Sequence, residues 1–123
     1  MFDEGLKTSI WVSAEIRRCD GIFLPMTILH KGDEGRGLVL IKQYVAGQGC
    51  RIYGLRRNFG PSLDHNLSLD HNLKSHLVWY GPLGEKLIEE ALVDDYISRE
   101  LGLDEDLWVV EVEDPKDQYA PIR

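Results

Sequence analysis

The most constraining feature of this chain is a change of hydrophobic period near its C-terminus. From Glu85 to Leu101 the apolar residues recur every four positions, Ile88, Leu92 and Tyr96 in one row and Val93, Ile97 and Leu101 in another, which is the spacing of one helix face. Leu87 and Ala91 fill the stripe, Glu85 suits the positive N-terminal end of a helix, and Gly102 is a stop signal. Leu107 to Glu113 then alternates with period two: Trp108, Val110 and Val112 on one face, Val109, Glu111 and Glu113 on the other. A helix leading straight into a strand places the chain among folds that pack helices on a sheet.

The middle of the chain supplies the other strands. Met26 to Leu29 is a short apolar run, Lys31 to Gly37 is rich in turn residues, and Leu38 to Val45 is β-rich, so the three read as a hairpin. Ala46-Gly47-Gln48-Gly49 makes the next turn and Cys50 to Leu55 a third strand of an antiparallel meander. His76 to Tyr80 reads as a fourth strand, ended by Gly81-Pro82. The segment Ile10 to Cys19 is ambiguous. Ile10, Val12, Ala14 and Ile16 alternate as in a strand, whereas Thr8 or Ser9 as cap, Arg17 and Arg18 in a last turn and Gly21 as stop suit a helix.

Several blocks resemble a small bacterial family of uncharacterised proteins. They are Leu6 to Ala14 (Leu-Lys-Thr-Ser-Ile-Trp-Val-Ser-Ala) with Arg17-Arg18, Lys31-Gly32-Asp33 with Val39 and Lys42, Val93 to Arg99, and Asp104 to Asp114, which contains Asp-Leu-Trp-Val-Val-Glu. The resemblance spans most of the chain. Relatives look rich in Ala and Leu through the segment matching Trp11 to Gly21, which implies helix there. The resemblance carries no catalytic residues. The expected architecture is α+β: helix, antiparallel three- or four-stranded meander, helix, strand, with both helices on one face of the sheet.

The 123 residues, 43% of them hydrophobic, suit a single domain spanning 1–123. Within it, Leu63-Asp64-His65-Asn66-Leu67-Ser68 is followed at once by Leu69-Asp70-His71-Asn72-Leu73-Lys74. Two copies are too few for a stacked repeat, so a loop or arm insertion at about 58–75 is expected. The duplication lies outside the family pattern, and any function placed there would be peculiar to this protein.

Charge and cysteine usage narrow the function. The formal charge of −7 disfavours generic binding to nucleic acid or anionic lipid. It is unevenly spread, since residues 1–84 sum to +2 and residues 85–123 to −9. An acidic opening, Met1-Phe2-Asp3-Glu4, does not resemble a signal peptide, and no apolar run approaches the ~20 residues that cross a bilayer. Cys19 and Cys50 form neither a disulfide framework nor a metal spacing. A cytoplasmic protein with reduced thiols and no membrane partner is the expectation.

Candidate chemistry is sparse. His65, His71 and His76, with Asp64 and Asp70, are ligand types for Zn or Ni, and would serve a metal-dependent or ligand-binding enzyme. Six residues rotate a helical side chain by about 240° and separate strand positions by roughly 20 Å, so only an irregular loop could converge them. Asp104, Glu105 and Asp106 with Glu111 and Glu113 could offer oxygen ligands but lack calcium-loop spacing. Cys19 or Cys50 beside a loop histidine is a conceivable nucleophile pair. The glycines at 32, 35, 37, 47 and 49 fit turns better than phosphate cradles. Lys42, Tyr44, Arg51, Tyr53, Arg56 and Arg57 interleave basic and aromatic groups as an RNA-reading sheet does. Without a convergent reactive set, no cofactor is expected. The leading reading is a noncatalytic module that docks a protein partner or a second copy of itself, through its sheet edge or a surface bearing Trp11, Arg17, Arg18, Trp79 and Trp108.

Overall fold

The computed structural model describes residues 7–58 and 76–121, with backbone only at 56–58 and 76–77. In chain order the elements are α1 (Thr8–Gly21), β1 (Met26–His30), β2 (Val39–Val45), β3 (Gly49–Asn58), β4 (His76–Tyr80), α2 (Glu90–Leu103) and β5 (Trp108–Glu113). The fold is α+β, with a five-stranded mixed sheet ordered β1-β5-β2-β3-β4. Strands β2, β3 and β4 form an antiparallel meander. Of the arm expected at about 58–75, position 58 is the last of β3 and residues 59–75 lie outside the described residues.

Two expectations are corrected. First, β1 and β2 are not a hairpin, because β5 inserts between them, antiparallel to β1 and parallel to β2. The reason lies in composition: Val39-Leu40-Ile41 and Trp108-Val109-Val110 are consecutive apolar residues, all buried, as befits strands covered on both faces. Second, the helices lie on opposite faces of the sheet. Trp11, Val12 and Cys19 of α1 pack with Val39, Ile41, Trp108, Val110 and Val112, whereas Val93 and Ile97 of α2 pack with Leu40, Ile52 and Val109. Adjacent strand residues point to opposite faces, so the two sets define two layers. A sheet whose central strands are apolar on both sides needs a helix on each.

The helix bounds also differ in instructive ways. In α1 no side chain caps the N-terminus. Instead the Thr8 hydroxyl donates to the Gly37 carbonyl at 2.9 Å, tying the helix start to the β1–β2 connection. α2 starts at Glu90 rather than near 85, because the Ile88 backbone is already committed: its N–H donates to the Cys50 carbonyl at 2.8 Å and its C=O accepts from the Cys50 N–H at 2.7 Å. Gly102 lies inside the last turn, and Leu92, expected on the apolar stripe, is exposed.

The β1–β2 connection crosses the start of β5, and this crossing explains two glycines. A Cβ at Gly32 would sit 2.1 Å from the Asp106 carbonyl oxygen, and one at Gly37 2.2 Å from the same atom. The close approach is fixed by hydrogen bonds from Asp33 N–H to the Asp106 carbonyl (3.0 Å) and from the Trp108 indole N–H to the Asp33 carbonyl (2.7 Å).

Both cysteines are free and fully buried, one in each layer. Burial pushes each thiol from its ordinary 9.0 up to about 11, so the fold favours the neutral form. The resulting stability is complete below pH 9 and is lost as pH rises from about 9 through about 11. Ellman's reagent at pH 8 is therefore expected to label neither thiol until denaturant is added, and the urea midpoint to fall between pH 9 and pH 11. Fast labelling of folded protein at pH 8 would contradict this burial.

Candidate functional site

The three tryptophans have structural partners. Trp108 is in the core and bonded to Asp33. Trp11 is buried and lies against Trp79, ring centroids 5.4 Å apart and tilted by 37°, which welds α1 to the far strand β4. Trp79 is half-buried. Arg17 is exposed, and Arg18 is drawn into an internal pair. Its Nε and Nη2 donate to the two carboxylate oxygens of Glu15, at 2.9 and 2.6 Å, and Nη2 also donates to the Ala120 carbonyl at 3.1 Å. Arg18 therefore pairs one turn back along its own helix, and not with Glu111 or Glu113. The hydrogen bond to Glu15 raises the Arg18 pKa further.

Glu15 is itself buried and accepts a 2.6 Å hydrogen bond from the Tyr119 hydroxyl. Burial, then this bond, raises the Tyr119 pKa far above the phenol range. Beside it lies a second network that sequence reasoning missed. The Gln43 amide donates to Asp114 at 2.7 Å and Asp117 at 3.0 Å, while its oxygen accepts from Arg51 at 2.8 Å and the Tyr53 hydroxyl at 3.1 Å. Asp114 Oδ2 also accepts from the Tyr119 backbone N–H at 2.7 Å, and Asp114 Oδ1 has no partner among the described residues. These bonds fasten residues 114–120 across the α1 face of the sheet. The only hint in the sequence is a polar Gln within the apolar run of β2.

On the opposite face, Lys42 is buried and reaches Glu90 at 2.6 Å, Asp94 at 2.7 Å and Glu111 at 3.8 Å. Burial works against its ammonium, but the hydrogen bonds it donates to Asp94 and Glu90 override that and leave its pKa raised. Burial also raises the Glu111 pKa, with Lys42 opposing it. This cluster anchors α2. The basic and aromatic residues considered for RNA are thus divided: Lys42 and Tyr44 share a face with α2, whereas Arg51 and Tyr53, paired with Gln43 and Ile41, lie on the α1 face. The side chains of Arg56 and Arg57 lie outside the described residues, as do His65, His71 and the side chain of His76. Among the described residues no group of three or more His, Cys, Asp or Glu converges as a metal site.

One of the two outer edges of the sheet is β1. Among the described residues this strand pairs only with β5. Its sequence, Met-Thr-Ile-Leu-His, contains no Asp, Glu, Lys or Arg, and Ile28 and Leu29 are exposed. Just before it Phe23 is 89% exposed at φ 61°, with Ile22 exposed beside it. A bulky residue in the left-handed region is uncommon, and here it closes α1 while turning the phenyl ring out to solvent. The register slips between Ile28 and His30, so Met26–Ile28 is the regular part of the edge.

A five-stranded mixed sheet covered by one helix on each face defines a small α+β protein. The chain belongs to DUF1491, a family of proteins of unknown function, whose model matches residues 6–120. It is similar to the crystal structure of a DUF1491 family protein from Caulobacter crescentus CB15, at 31% identity over 89% of each chain with a TM-score of 0.71. An NMR structure of a DUF1491 family protein from the same organism matches at 29% identity and TM-score 0.70, covering 90% of this chain and 87% of that one. A solution structure of a protein from A. tumefaciens matches at 26% identity and TM-score 0.66, covering 89% and 86%. No curated protein matches the chain. Among the described residues no helix is long and apolar enough to cross a membrane.

Proposed function

We propose that this protein is a noncatalytic self-association module that pairs with a second copy of itself along the outer edge of β1. The observation that carries the reading is the uncharged edge strand, with Ile28 and Leu29 on it and Phe23 just before it each exposed. Edge strands that must stay single are usually guarded by charged side chains, and β1 has none. An uncharged apolar edge is also self-complementary, as a two-fold interface requires. In antiparallel pairing centred on Thr27, Met26 meets Ile28 of the second copy. The net charge of −7 does not prevent this. Glu111 lies one strand inside the edge, so two copies hold these carboxylates about three strand spacings apart, roughly 14 Å. That exceeds the ~8 Å screening length at physiological ionic strength.

Sedimentation at increasing concentration is expected to show a monomer–dimer equilibrium that shifts by at least about tenfold toward monomer in Phe23→Asp and in Ile28→Lys, with the circular dichroism spectrum unchanged. A folded protein that stays monomeric at millimolar concentration would overturn the reading. So would a dimer indifferent to both substitutions.

A further inference from the structure

A second feature, at the β3–β4 end of the sheet away from the β1 edge, is a half-open cleft of about 400 Å³ lined by Arg51, Tyr53, Trp79, Gly81, Gly84 and Pro121 among others. Its volume lies within the range of small-molecule sites. Its mouth is preformed. The turn at 81–84 closes with a 3.0 Å hydrogen bond from Gly84 N–H to the Gly81 carbonyl. Glycine is required at both ends, because Gly84 has φ 95° and a Cβ at Gly81 would lie 2.5 Å from the Gly84 carbonyl oxygen. Arg51 Nε then donates to the Glu85 carbonyl at 2.6 Å, clamping this turn to β3.

The chemistry of the walls selects a ligand class. Tyr53 and Trp79 offer aromatic surface, and Pro121 adds an apolar rim. Arg51 has its Nε and both Nη1 hydrogens engaged, but Nη2 makes a single long contact, 3.4 Å to Asp117 Oδ2, and retains donor capacity. This surplus donor calls for an acceptor. Because Asp117 already balances the guanidinium charge, that acceptor can be an uncharged carbonyl as well as a carboxylate.

We infer that the cleft binds a small planar aromatic molecule carrying a carbonyl or carboxylate acceptor, its ring against Tyr53 and Trp79 and its acceptor on Arg51. The test is titration of isotope-labelled protein with benzoate, benzamide and cyclohexanecarboxylate, following the indole N–H resonance of Trp79, assigned by its loss in Trp79→Phe. Benzoate and benzamide, which separate the charged from the neutral acceptor, are expected to shift it saturably, at least one of them with a Kd on the order of millimolar. Cyclohexanecarboxylate is expected to bind at least about tenfold more weakly. Arg51→Gln is expected to weaken binding about tenfold. Because Arg51 also braces the turn, Pro121→Trp, which fills the cleft from its rim, supplies an independent block in a folded protein. No saturable shift from either aromatic, equal binding of the saturated ring, or full binding in Pro121→Trp would each overturn the site. None of these results depends on whether the β1 edge pairs.

Discussion

Replacing Gly32 with alanine is expected to cost at least about 3 kcal/mol of folding stability and to lower the melting temperature by roughly 10–20 °C. The new Cβ would stand 2.1 Å from the carbonyl oxygen of Asp106, 2.7 Å from its carbon and 2.7 Å from the carbonyl carbon of Leu107. All three are backbone atoms, so no rotamer change relieves the clash. Relief requires the β1–β2 connection to lift off β5, which breaks the Asp33 and Trp108 hydrogen bonds that hold the crossing. Gly102→Ala is the matched control. Nothing lies within 4 Å of the added methyl, and in a helix alanine exceeds glycine by about 0.8–1.0 kcal/mol, so that variant is expected to melt higher. Thermal unfolding read by tryptophan near-ultraviolet circular dichroism distinguishes the two. Equal melting temperatures would mean that the crossing is looser than described.

The second large effect is expected at Gln43. Gln43→Leu keeps the volume of a fully buried side chain but removes both amide donors and the oxygen. Asp114, also fully buried, would keep only the Tyr119 backbone N–H, and the Tyr53 hydroxyl would lose its acceptor. A loss of about 3 kcal/mol in urea unfolding is the expected result, in line with stripping partners from a buried carboxylate. Gln43→Glu is a sharper probe. It sets a third carboxylate beside Asp114 and Asp117 at a fully buried position, and burial with these two neighbours raises its folded pKa above the unfolded value against the opposing charge of Arg51. Its deficit should then be smaller at pH 5 than at pH 7. A deficit that grows on acidification would rule out this arrangement of the network.

The spans of the strands were legible because alternation and turn residues are local signals. His76–Tyr80 is a strand as read, and the Trp108, Val110, Val112 face does point into one layer. Strand order was not legible, since pairing between residues eighty positions apart leaves no local period. A usable clue existed in the consecutive buried residues of Val39-Leu40-Ile41 and Trp108-Val109-Val110, which mark the two interior strands. The opposite placement of the helices follows once those strands are known to be interior. The grouping of Lys42 and Tyr44 with Arg51 and Tyr53 failed on parity. Gln43 pairs with Arg51 and Lys42 with Ile52, and an offset of one residue sends a side chain to the other face. Arg18 and Glu15 are three apart on one helix and could have been paired directly. Nothing in Ile22-Phe23-Leu24 announces a left-handed residue, because the Gly or Asn that signals one elsewhere is absent.

The position of β5 also governs when the sheet can close during synthesis. Strand β1 and the β2–β4 meander share no ladder of their own; each meets the other only through β5. A chain emerging at roughly 5–20 residues per second presents Met26, Val39 and Ile41 several seconds before residues 108–113 arrive to cover them. Until then β1 and the β2–β4 meander lack the strand that joins their ladders, and the two edges that β5 will bridge stay open.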